Sequence, residues 1–115
     1  MHEFTTVVLL GLAIYTLVNL FRPSGVAVDR AGNVLIAYLP DSRIRVLAAA
    51  TGTFYGQQMT AGGLYVVAGG GKGRVENGGP ATGARLLKPI GVAAGPAGSL
   101  LIADTGNDLI RVVTG

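Results

Sequence analysis

Hydrophobic residues in this chain come in short runs, each closed by glycine, proline or a small polar residue. "GVAVD" from Gly25 meets the turn "RAGN", and "VLIAY" from Val34 meets the turn "LPDS". "RIRVLA" from Arg43 alternates basic and apolar residues, as a half-exposed strand does. A fourth run, "LYVVA" from Leu64 to Ala68, follows the polar connection "TGTFYGQQMTAGG". Runs this short, bounded by turn residues, predict β-strands rather than amphipathic helices.

The pattern then repeats. Pro23 to Leu47 aligns without a gap on Pro89 to Val113, an offset of 66 residues from Pro23 to Pro89. About half of the aligned positions are identical, including Gly25/Gly91, Gly32/Gly98, Ile36/Ile102, Ala37/Ala103, Ile44/Ile110 and Arg45/Arg111, far more than chance gives in a gapless window. Upstream, "LFRP" at Leu20 to Pro23 matches "LLKP" at Leu86 to Pro89. Four consecutive antiparallel strands form the blade of a β-propeller. The expected fold is therefore all-β: a partial β-propeller of about two four-stranded antiparallel blades, behind an apolar N-terminal segment. The organisation reads as that segment at 1–21, a first blade at 22–71, a Gly-rich linker at 72–88 and a partial second blade at 89–115. Pro80 to Leu86 is expected to form one short helical turn.

The N-terminal segment has two readings. Phe4 to Phe21 carries no charge and lies at the lower edge of the length that spans a bilayer as a helix. Its flanks are not those of a cleaved signal, so an uncleaved anchor fits better than a removed one. Arg22, Arg30, Arg43 and Arg45 follow it closely and would hold the remainder on the cytoplasmic side. Alternatively "TTVVLL" from Thr5 is a β-branched strand closed by Gly11, a reading that the upstream match at Leu20 favours. Residues 4–21 thus make a membrane a possible partner, and a membrane-anchored or extracytoplasmic location is slightly favoured over a soluble cytoplasmic one.

Composition narrows the chemistry. With 115 residues, 50% of them hydrophobic, the chain builds one small domain. Its 19 glycines and 13% charged residues agree with many tight turns between buried strands. The net charge of +3 comes from scattered basic residues without a cluster, which argues against nucleic-acid binding. No cysteine is present, which removes disulfides, thiolate metal sites and cysteine nucleophiles, and a single histidine, His2, leaves no histidine triad. No catalytic, metal or cofactor residue is assigned.

The paired segments "GVAVDRAGNVLIAYLPDSRIRVL" and "GVAAGPAGSLLIADTGNDLIRVV" resemble NHL repeats. The stretch from Thr51 to Pro89 is similar to the linker of long-repeat bacterial NHL proteins of the actinobacterial type. The likeness covers Leu20 to Gly115. Departures are visible: the first copy has Tyr38 where the second has Asp104, and Asp41 where the second has Asn107. The second copy has Gly95, Ser99 and Leu109 where the first has Asp29, Asn33 and Arg43. The resemblance implies a propeller segment acting as a non-catalytic scaffold for proteins or ligands, a fragment of a longer propeller or a self-assembling unit. Its alternatives are part of a lyase- or hydrolase-like propeller enzyme and an RNA-binding module.

Three motifs invite stronger readings. Asp104-Thr105-Gly106 matches the aspartic-peptidase triplet, but the repeat explains it as a turn: Asp104 and Asn107 hydrogen-bond backbone, and Gly106 supplies a positive φ. "GGGKGR" at Gly69 to Arg74 lacks the Ser or Thr that a phosphate loop needs after Lys72. Arg43, Arg45 and Arg111 fall on outward strand positions and form the candidate interaction surface. Two blades also leave apolar faces open, so the expected partners are proteins or other copies of the chain, three copies giving six blades. In such an assembly "TTVVLL" would supply the fourth strand missing after Val113.

Overall fold

The computed structural model describes residues 4–9, 14–19, 23–71 and 81–114, the first two stretches as backbone strands only. Strands β1 (Phe4–Leu9) and β2 (Ile14–Asn19) pair antiparallel, with Phe4 opposite Asn19, so two strands run where one was expected. Gly11, Leu20 and the residues of the "GGGKGR" motif from Lys72 onward lie outside the described residues. No helix among the described residues is long and apolar enough to cross a membrane.

The first repeat copy folds as β3 (Pro23–Val28), β4 (Val34–Tyr38) and β5 (Arg43–Leu47). A small hairpin of β6 (Gly52–Phe54) and β7 (Gln57–Met59) comes next, and then β8 (Leu64–Gly69). The larger sheet is antiparallel in the order β3-β4-β5-β8. The second copy gives β9 (Pro89–Ala94), β10 (Leu100–Asp104) and β11 (Leu109–Val113), a three-stranded antiparallel sheet. Each of its strands starts and ends 66 positions after its counterpart in the first copy. A 3₁₀ turn at Ala81–Gly83 lies within the stretch where a helical turn was expected.

The β6–β7 hairpin was not expected, because "TGTFYGQQM" carries few of the apolar residues that mark a strand. Tyr55 and Gly56 explain it: both take positive φ, the conformation a two-residue hairpin turn needs. The hairpin is tied to the β3–β4 turn by polar contacts. The Asp29 carboxylate accepts from the Asn33 backbone and side-chain amides at 2.9 and 3.0 Å and from the Tyr55 hydroxyl at 2.7 Å. Buried Asn33 in turn accepts from the Ala49 amide at 2.8 Å. Burial and then the Asp29 hydrogen bond and charge push the Tyr55 hydroxyl to titrate well above its ordinary value.

The core lies between the two sheets. The β4–β5 face brings Leu35, Ala37, Ile44 and Val46, which meet Leu100 and Ile102 of β10, with Val92 and Val113 packed against them. Met59, Val67 and Leu86 complete the cluster. Fully burying one large aliphatic side chain contributes about 1.5–3 kcal/mol, so the contact between the sheets is a main source of stability. A second cluster of Val34, Ile36, Leu47 and Ala49 lies on the opposite face of the first sheet.

Candidate interaction surface

The arginines expected to share one surface are divided by the fold. Arg43 and Arg45 flank Ile44 on β5 and converge on Asp41, in the 3₁₀ turn Leu39–Asp41. Arg45 holds both carboxylate oxygens, at 3.1 and 2.6 Å, and Arg43 approaches at 3.2 Å. The Arg45 guanidinium also lies over the Tyr38 ring, 5.0 Å from its centre. Partial burial of Asp41 opposes its ionised form. The Arg45 hydrogen bonds and charge, and then those of Arg43, outweigh it and hold the carboxyl below its usual value.

Arg111 corrects the expectation of an outward side chain, since it is only 8% exposed. The register places it opposite Ile102, on the face that enters the core, and its Nε donates to Asp104 at 2.8 Å. Period-two alternation separates the two faces of a strand but does not say which is covered, and here the arginine face is the covered one.

Asp104 is fully buried and both of its oxygens are engaged. One accepts from the Leu87 amide at 2.7 Å, the other from Asn107 Nδ2 and Arg111 Nε, each at 2.8 Å. Asp104 and Asn107 were expected to hydrogen-bond the backbone of their own turn; instead they tie the turn Thr105–Asn107 to the approach to β9, through the Leu87 amide and the Arg85 carbonyl. Gly106 needs a different explanation. Its φ is not positive; the left-handed residue is Asp108, matching Ser42 in the first copy. A Cβ on Gly106 would lie 2.5 Å from the carbonyl oxygen of Leu87, which accepts the Gly106 amide at 2.7 Å. Close approach of two backbones therefore requires the glycine.

The second sheet has an open apolar face. Ile110 and Val112 are 72% and 58% exposed, and half-buried Leu101 and Ala103 lie beside them. Across the register Leu101 faces Val112 and Ala103 faces Ile110, so the four form one patch. Among the described residues β11 pairs only with β10, leaving its other edge unpaired. On the first sheet, Val26 and Val28 of β3 are also exposed. By the repeat the open face is the copy of a face that is buried in the first sheet. Among the described residues no group of three or more His, Cys, Asp or Glu side chains is placed to hold a metal.

No protein-family model matches the chain, and no curated protein shows significant similarity to it.

Proposed function

We propose that this chain is an NHL-type β-propeller segment that works as a non-catalytic interaction scaffold, binding a protein through the open face of its second sheet. One observation carries the reading. Two antiparallel sheets built from the same repeated sequence stack face to face, and the face that is core in the first copy is open in the second. A contiguous exposed apolar patch on a sheet face is a mark of binding sites, whereas isolated surface hydrophobes need no explanation.

The arginines support a protein rather than a nucleic-acid partner. Arg43 and Arg45 are ion-paired to Asp41 and Arg111 is buried, so their charges do not add up to one basic surface. Selection of a random displayed-peptide library on the purified chain tests the reading. Enriched peptides are expected to lose binding to Ile110→Glu while the far-ultraviolet spectrum of that variant is unchanged. Absence of enriched peptides, or peptides that bind Ile110→Glu equally well, overturns it.

A further inference from the structure

On the three strands that the repeat shares, six residues lie on the face of the first sheet that receives the second: Gly25, Ala27, Leu35, Ala37, Ile44 and Val46. Shifted by the repeat offset they become Gly91, Ala93, Leu101, Ala103, Ile110 and Val112, and all six are the same amino acids. Over the rest of the repeat many positions differ, so the shared letters concentrate on this face. Its first copy is covered inside the chain, and its second copy is the open face described above.

The glycines sharpen the point. A Cβ on Gly25 would lie 2.6 Å from the carbonyl oxygen of Ile90 and 3.3 Å from the Cα of Gly91, so the crossing of β3 and β9 demands a glycine there. Gly91 occupies the equivalent place. Its φ is not positive, and a Cβ there would meet only the Ala103 Cβ at 3.6 Å, an ordinary contact. Nothing among the described residues requires Gly91 to lack a side chain, and a second backbone crossing it as β9 crosses Gly25 would require it.

The chain also contains the matching surface. The face that docks on Gly25 and Ala27 belongs to β9 and β10, with Val92, Leu100 and Ile102. Its copy at the repeat offset carries Val26, Val34 and Ile36, of which Val34 and Ile36 are already covered in the single chain. The strip left open is β3, with Val26 and Val28 exposed by 64% and 63%.

We propose that the Gly91–Ala93 side of the open face binds β3 of a second copy of this chain, continuing between chains the contact that joins the two sheets within one. The proposal rests on reading that face as an interaction surface and names its occupant. Such a contact uses two different surfaces, so each copy has one of each to offer, and the association runs head to tail.

Sedimentation velocity of the full chain over a range of concentrations tests the proposal. The wild type is expected to exceed the mass of a dimer as concentration rises. Val26→Glu alone and Gly91→Val alone are each expected to sediment as single chains. Their equimolar mixture is expected to double in mass, because each variant retains the surface that the other has lost. Should either fail to give a folded circular-dichroism spectrum, Val28→Lys and Ala93→Glu take their places. A wild type that stays at single-chain mass overturns the proposal, as does a mixture that does. If that single chain still binds peptides in an Ile110-dependent manner, the second copy is overturned and the interaction surface stands.

Discussion

Adding one methyl group at each of the two equivalent glycines should give opposite results. In Gly25→Ala the new Cβ lies 2.6 Å from the Ile90 carbonyl oxygen, a backbone atom that cannot rotate away. Restoring ordinary contact means moving β3 and β9 apart by about 0.8 Å, and a gap of that size forfeits a quarter to a half of the dispersion energy of the atoms it separates. The same movement pulls on the hydrogen bonds from Ser24 Oγ to the carbonyl oxygens of Ala37 and Pro89, at 3.0 and 2.9 Å, the second of which crosses between the sheets. Overpacking costs about 1–3 kcal/mol and a lost hydrogen bond about 1 kcal/mol. Lower entropy of the unfolded chain returns about 0.4–1 kcal/mol, leaving a net loss of about 2 kcal/mol. Gly91→Ala keeps only the entropic gain, because its Cβ enters ordinary contact at 3.6 Å. Urea unfolding of both variants, in a Val26→Glu background so that association does not contribute, should separate their stabilities by about 2–3 kcal/mol. Equal midpoints would refute the close crossing of β3 over β9, and with it the argument that Gly91 is kept for a partner.

Three further outcomes follow from the polar contacts. Asp104→Ala leaves Arg111 and the Leu87 amide without their carboxylate, and should lower stability by about 3–5 kcal/mol in urea unfolding. Tyr55→Phe should cost about 1.5–3 kcal/mol, since its hydroxyl donates to a carboxylate. Because the folded-state pKa of Tyr55 is raised, its contribution is fully present below the unfolded value of 10.0 and is lost as pH rises through the folded one; urea midpoints above pH 10.0 should fall less steeply in Tyr55→Phe. Asp41 has the opposite sign. Its folded pKa is depressed, so its contribution is present above the unfolded value of 3.8 and is lost as pH falls through the folded one. Solvent at the partly exposed pair limits that effect to less than about 1 kcal/mol, and Asp41→Asn should remove it from the acid limb of the urea midpoint curve.

The strands were legible because each is a short apolar run between turn residues, and because the repeat states the pattern twice. Equivalent strands in the two copies have the same bounds at the repeat offset. The β6–β7 hairpin was not legible, since its stability comes from the Tyr55-Gly56 turn and from a hydroxyl reaching Asp29, distant in sequence. Nor was the burial of Arg111. Alternation assigns Arg45 and Arg111 to equivalent faces correctly, but the face of Arg111 is covered by the neighbouring sheet, while Arg45 lies on the far side of its own. Such coverage is a property of which sheets meet, and no single strand encodes it.

Two differences between the copies, Tyr38 against Asp104 and Asp41 against Asn107, look in the sequence like separate losses, yet in space they are one exchange. In the second copy the arginine at position 111 finds its acid at 104, and position 107 is an asparagine that donates to that acid. In the first copy the equivalent arginine, Arg45, finds its acid at Asp41, the position of Asn107, and Tyr38 stands where Asp104 would be, its ring beneath the guanidinium. Charge and partner have moved together by one turn of chain, so each arginine keeps one carboxylate within hydrogen-bond reach. The move follows the environment. A buried arginine needs a buried acid from the neighbouring strand, whereas the half-exposed Arg45 can use an acid in the turn and rest on an aromatic ring. The same logic separates what varies between the copies from what does not. Polar turn residues can be exchanged when their partners change with them, while the six residues of the receiving face are the same in both copies. Their identity in both copies is what a surface used twice would require, once within the chain and once beyond it.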